Sequence, residues 1–180
     1  MSKQFELEKF EQEEMYNDLI TEAENQAEEL YNKHKSGCKK LEFNDGSYFI
    51  GEIEGDVLHG LGKYYFVNGD VYTGQFANNT MHGYGKIISG NKKYCYEGNW
   101  VSGLMHIYGT FTYLDTGLVY IGQMKAGKCH GTGKLIWSNG KRFEGNFVNN
   151  KREGHGKLYL NDELQKEGKW IDDMLDKAVN

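Results

Sequence analysis

The chain has no proline, only three cysteines among 180 residues, and no excess of basic charge. No apolar run approaches the roughly 18 residues of a membrane span. The cysteines, Cys38, Cys95 and Cys129, form no Cys-x-x-Cys pair. That sparse, odd count argues against a disulfide framework and for a reducing compartment. The opening Met1-Ser2-Lys3-Gln4-Phe5-Glu6 lacks the apolar stretch of a secretion signal, so a cytoplasmic chain is expected. With a net charge of −5, nothing points to nucleic acid. No Gly-x-Ser-x-Gly is found, and no cysteine sits in a recognisable catalytic setting. The expectation is a protein that is not an enzyme and takes no cofactor.

Glycine and aromatic residues are abundant: 24 Gly, 13 Tyr and 9 Phe. Together they suggest strands and tight turns. They also recur. Phe49-Ile50-Gly51, Tyr72-Thr73-Gly74, Tyr96-Glu97-Gly98, Tyr120-Ile121-Gly122, Phe143-Glu144-Gly145 and a decayed Lys166-Glu167-Gly168 place their glycines 23, 24, 24, 23 and 23 residues apart. A second marker keeps the same phase: His59-Gly60-Leu61-Gly62, His82-Gly83-Tyr84-Gly85, His106-Ile107-Tyr108-Gly109, His130-Gly131-Thr132-Gly133 and Glu153-Gly154-His155-Gly156. A repeat this short cannot hold a pair of helices, which needs roughly 33 residues, but it fits two short strands and two turns. Asp45-Gly46, Asn68-Gly69, Thr116-Gly117 and Asn139-Gly140 supply turn signals at the unit boundaries, and pairs of this kind favour positive φ at both central residues.

Alternation along the strands separates two faces. One carries Tyr72, Gly74 and Phe76, then Tyr96, Gly98 and Trp100, then Tyr120, Gly122 and Met124, then Phe143, Gly145 and Phe147. The opposite face of the second strands carries Lys63, Lys86, Thr110, Lys134 and Lys157. Glycines repeated at one register leave slots in which large rings can lie over bare backbone. Because a single sheet has no second layer, the ring face should keep an open aromatic strip, and such strips mark interaction sites. The residues expected to line this protein-binding groove are Phe49, Tyr72, Phe76, Tyr96, Trp100, Phe111, Tyr120, Trp137, Phe143 and Phe147.

The aromatic-x-Gly and Gly-x-Gly pattern over residues 44–171 resembles the MORN repeat family. Ile107 departs from it where a glycine stands in the other units, and Lys166 where an aromatic stands. The resemblance implies an all-β repeat: an elongated, single-layer, twisted antiparallel sheet of about six hairpins. It further implies a structural or scaffolding role, and short repeat-only proteins of this kind are similar to components of cilia and the cytoskeleton. MORN repeats also occur beside lipid kinase and lysine methyltransferase domains. About 45 residues precede the repeats here and about 10 follow, too few for such a domain.

Residues 1–37 form a separate acidic segment. Residues 1–35 hold ten acids against four lysines, a net of −6, whereas the rest of the chain is close to neutral. With no Gly or Pro between 3 and 36, the segment should be helical. Tyr16, Ile20, Ala23, Ala27 and Leu30 mark an apolar stripe on it. Tyr16, Ile20 and Leu30 are the residues expected to cap the array, lie on its groove or meet a partner. The array is expected over 38–171, followed by a short helical cap or tail over 172–180.

Three chemical readings fail on geometry. Equivalent histidines in successive hairpins stand roughly 9–10 Å apart, too far to share a zinc ion that needs contacts of about 2.1 Å. Phosphate loops of the Gly-x-Gly type open helices, and here strands follow. Glu11, Glu13 and Glu14 read as a solvated helix face. The partners expected are therefore proteins, as an extended peptide or a helix in the groove. Self-association is a further reading, and the rival is phospholipid, drawn by one lysine per hairpin at about 1 kcal/mol each.

Overall fold

The computed structural model describes residues 38–176, all of which belong to one antiparallel sheet or its turns. Thirteen strands follow one another in chain order. They are β1 (Cys38–Glu42), β2 (Tyr48–Glu54), β3 (Val57–Tyr65), β4 (Val71–Ala77), β5 (Thr80–Ile88), β6 (Tyr94–Val101), β7 (Leu104–Tyr113), β8 (Leu118–Lys125), β9 (Lys128–Ile136), β10 (Lys141–Val148), β11 (Lys151–Leu160), β12 (Glu163–Ile171) and β13 (Met174–Leu175). Six hairpins result, β2–β3 through β12–β13, as the repeat count leads one to expect.

Glycine fixes the register. A single row crosses the sheet from β2 to β12, pairing Gly51, Gly62, Gly74, Gly85, Gly98, Gly109, Gly122, Gly133, Gly145, Gly156 and Gly168 strand by strand. The row is a trough without side chains, and one ring from each of the first five hairpins fills it. At Gly109 a Cβ would lie 2.4 Å from the Tyr96 hydroxyl and 2.5 Å from its ring. At Gly62 it would lie 2.2 Å from the Phe49 ring. A strand glycine ordinarily weakens a sheet. Here it is what allows Phe49, Tyr72, Tyr96, Tyr120 and Phe143 to sit almost wholly out of water.

The two edges turn differently. Along one, two-residue loops close the hairpins with positive φ at both positions: Asn78-Asn79 (50° and 63°), Ser102-Gly103 (49° and 80°) and Asn149-Asn150 (50° and 73°). These are mirror-image turns, whose twist suits paired strands. Each also staples its hairpin to the one before. The Asn79 amide donates to the Leu58 carbonyl (3.2 Å) while its Oδ1 accepts from the Leu58 amide (2.8 Å), and Asn150 does the same to Cys129. Along the other edge run the Asn-Gly and Asp-Gly pairs, in wider loops than the pattern suggests. Only the glycine has positive φ there, 84° at Gly69 and 81° at Gly140, because the loop is closed by Phe66 and Asp70 rather than by the two central residues.

At the C-terminal end the chain departs from the expected helical cap. Asp172-Asp173 (φ 47° and 67°) make one more two-residue turn, and Met174–Leu175 pair with Trp170 and Ile171 as a strand. The repeat simply continues for a fraction of a unit. The helix expected over 3–36, with Tyr16, Ile20 and Leu30, and the tail beyond residue 176 lie outside the described residues.

Candidate functional site

The core lies on one face of the sheet, in two tiers. The lower tier is the row of rings in the glycine trough. The upper tier stands edge-on above it. Phe76 bridges Phe49 and Tyr72, with centroids 5.0 and 5.1 Å away. Trp100 bridges Tyr72 and Tyr96 at 5.2 and 5.3 Å, and its Nε1 donates to the Gly85 carbonyl (3.0 Å). Phe147 bridges Tyr120 and Phe143 at 5.0 and 5.5 Å, and Trp170 closes the series on Phe143 at 5.1 Å. Edge-to-face pairs of this kind contribute about 0.5–1.5 kcal/mol each beyond the area they bury.

The upper tier is interrupted once. Phe76, Trp100, Phe147 and Trp170 pair with Gly60, Gly83, Gly131 and Gly154 across the strands, and the equivalent partner of Ile107 is Met124. No ring therefore joins Tyr96 to Tyr120. A slot of about 290 Å³ opens at this gap, lined by Tyr94, Met105, Phe111, Tyr113, Tyr120, Met124, Gly127, Cys129 and Asn150. None of these side chains is charged. Phe111 packs on Tyr94 (5.4 Å, nearly parallel) and on Tyr113 (4.8 Å), and Tyr113 is 43% exposed. Burial pushes the Cys129 thiol up to about 11, so near neutral pH it is a small apolar lining group and not a nucleophile. Thioethers and a thiol against aromatic rings make an adaptable apolar surface.

The expected groove residues divide. Phe49, Tyr72, Phe76, Tyr96, Trp100, Tyr120, Phe143 and Phe147 are buried and serve as the core of the array. Phe111 and Trp137 are half-buried at its surface. Partly buried on this face is the row beside the core, which includes Tyr64, Phe66, Met81, Tyr94, Met105 and Leu135. Arg152 closes the row toward the C-terminus, lying 4.5 Å from the Trp170 ring and 5.8 Å from Trp137 while Asp173 holds its Nε at 3.0 Å. The histidines His59, His82, His106, His130 and His155 lie within strands β3, β5, β7, β9 and β11, and His106 Nδ1 accepts from the Ala126 amide of the next hairpin's turn (3.2 Å). Among the described residues no cluster of three His, Cys, Asp or Glu is placed to hold a metal ion.

The opposite face changes character along the array. In the later hairpins its lysines are matched by glutamates: Lys134 with Glu144 (2.8 Å) and Lys157 with Glu167 (3.2 Å). Lys86 stands 3.7 Å from Glu97. In the first hairpins that face has Tyr48 stacked on Tyr65 (4.2 Å) beside Ile50, Val71, Ile88 and Cys95, with Lys63, Thr73 and Lys86 among them, and β8–β9 place Val119, Ile121 and Ile136 on it.

A family model described as MORN repeat matches residues 49–71, 72–93, 96–115, 120–142 and 143–164. No curated protein sequence gives a significant match to the chain.

Proposed function

Because the chain belongs to the MORN repeat family, a non-catalytic repeat family with structural and protein- or membrane-binding roles, we propose that it is a scaffold that grips another protein through the ring face of its array. The observation that carries this reading is the gap at Met124. Between Phe49 and Phe143 the upper tier joins each neighbouring pair of lower rings with a ring except at Met124, where a slot of about 290 Å³ opens, rimmed by exposed and half-exposed aromatics. A single large apolar side chain of a peptide or helix fits there, and aromatic anchors of this kind dominate interface energetics. We propose a ciliary or cytoskeletal assembly as the setting, on family resemblance alone.

Charge pairing weighs against a phospholipid surface. Three of the four lysines in the expected basic row stand beside glutamates, and the fourth, Lys63, is buried. The test is to purify the tagged full chain from its cell, identify the proteins that accompany it, and measure binding of the leading partner directly. Trp137→Ala, Phe111→Ala and a slot-filling Met124→Phe should each weaken that binding. Binding that survives all three and falls instead with Lys134→Ala or Lys157→Ala would refute the groove reading. Salt-sensitive sedimentation with anionic vesicles would favour the membrane role.

A further inference from the structure

We propose that the array carries a second interaction site, centred on Ile107 and away from the ring core, that takes an acidic, apolar segment of a partner protein. Ile107 stands where four other units have Gly60, Gly83, Gly131 and Gly154, all at positive φ, and it keeps φ at 60°. A β-branched residue in that conformation is strained. The neighbouring strand makes room for it. A Cβ at Gly83 or Gly131 would lie 1.9 or 2.0 Å from the Oε1 of Gln75 or Gln123. At Gly154, where the shorter Asn146 takes that place, the nearest atom would be 3.3 Å away. Beside Ile107 the place is again held by an asparagine, Asn99, which follows Gly98 as Gln75 follows Gly74. Two coupled exchanges thus admit a side chain that does nothing for the core, since Ile107 is 58% exposed and lies outside the ring cluster. Backbone strain held by an exposed apolar residue points to binding rather than stability.

The surroundings of Ile107 supply the rest of the site. Tyr84 and Tyr108 lie on the face opposite the rings, across from Asn99 and Gln123, and are 54% and 51% exposed. Leu104, across from Val101, is 51% exposed. Lys125 follows Gln123 by two positions on β8, which sets it diagonally to Tyr108 on the same face. It also stands directly opposite Lys128 on β9. Like charges placed in this way repel, and no equivalent pair in the other hairpins sets two like charges together. Among the described residues neither lysine meets a carboxylate, whereas Lys151 of the next hairpin is held by Asp172 (2.7 Å). Two lysines without a counter-charge beside four exposed apolar side chains complement a segment that carries both acids and large apolar residues, the acids fixing its register. Met124, the cross-strand partner of Ile107, is 4% exposed and packs in the ring core. The site is therefore separate from the slot, and the inference goes beyond the proposed function.

The experiment selects a library of random linear peptides on the full chain and measures the strongest binders by fluorescence anisotropy. These peptides should combine aspartate or glutamate with large apolar residues. Ile107→Gly, expected to be the more stable chain, should weaken them by about tenfold or more, and so should Lys125→Ala with Lys128→Ala. Met124→Phe, in the slot on the ring face, should leave their affinity unchanged, which separates a failure here from a failure of the proposed function. Circular dichroism melts confirm that each variant is folded. Peptides that are basic or uncharged, no binders at all, affinity that survives Ile107→Gly or the paired lysine change, or affinity lost with Met124→Phe would each overturn the proposal. Anionic vesicles that sediment the parent chain but not the Ile107→Gly chain, with no peptide bound, would overturn it in favour of a lipid surface.

Discussion

Replacing Met124 by phenylalanine should stabilise the array and weaken partner binding. The equivalent positions hold Ile53 at the first hairpin, then Phe76, Trp100, Phe147 and Trp170, and the three that bridge two lower-tier rings do so with centroid distances of 5.0–5.5 Å. A ring at 124 would stand between Tyr96 and Tyr120 and restore two such contacts. At about 0.5–1.5 kcal/mol each, the gain is about 1–3 kcal/mol. Overpacking would subtract a similar amount if the ring had to be forced in, but the slot of about 290 Å³ is already there. For a chain of this size each kcal/mol shifts the midpoint by roughly 2–4 °C, so Met124→Phe should melt roughly 2–12 °C higher. Thermal melts by circular dichroism, with urea unfolding to confirm an unchanged m-value, measure the gain. Met124→Ala should move the other way. A Met124→Phe chain that melts at or below the parent temperature with the same m-value would refute the idea that a ring is missing there. One that is more stable yet binds its partner equally well would refute the slot as the anchoring site.

Three more outcomes follow from the geometry. Gly109→Ala should cost about 3 kcal/mol or more, because its Cβ would lie 2.4–2.5 Å from the Tyr96 ring and hydroxyl; urea unfolding reads this directly, and a loss below about 1 kcal/mol would mean that the ring does not fill the trough. Ile107 holds φ at 60° where the other units use glycine, so Ile107→Gly should gain about 1 kcal/mol by relieving backbone strain, visible as a higher melting temperature. Burial raises the phenols of Tyr72, Tyr96 and Tyr120 above the ordinary value of 10.0. The unfolded chain then releases protons that the folded chain keeps, so their contribution is intact below pH 10 and declines above it. Three tyrosines give a slope of roughly 4 kcal/mol per pH unit. Alkaline unfolding should show it, and the triple Tyr→Phe chain should lose that slope.

Much of this was legible in the sequence because a repeat overdetermines it. Two markers in one phase give the number of repeats and the glycine row, while β1 and β13, the strands at the two ends, carry neither marker. The rings at 49, 72, 96, 120 and 143 were placed on the correct face. Their exposure was not legible. Period-two alternation says which side a ring occupies but not how many rings stack on that side, and the upper tier buries the lower one. The turns were half legible: Asn-Gly pairs drew attention to the wider loops, whereas Ser102-Gly103 and Ala126-Gly127 close the tightest turns without any such signature. The slot was written in the sequence as Met124 between Trp100 and Phe147 in a column that opens with Ile53, a signal that gains meaning only when the column is known to be a stacked ladder.

The opposite face holds the remaining lesson about how such a sheet divides its labour. A single layer must expose two surfaces, and composition distinguishes them only where both are followed along the whole array. Lysines at one register look interchangeable in sequence, yet Lys63 is buried and Lys157 is half exposed, so the residues around each one decide its role. Glutamates neutralise the later lysines and leave that end a solvated surface. At the first hairpins Lys63 lies over the Tyr65 ring beside Ile50, and Lys86 stands near Glu97. On the ring face adhesiveness is confined to a gap near the middle of the array, where Met124 replaces a ring. A short-range departure from a regular repeat thus sets one place on the ring face apart in an otherwise uniform array.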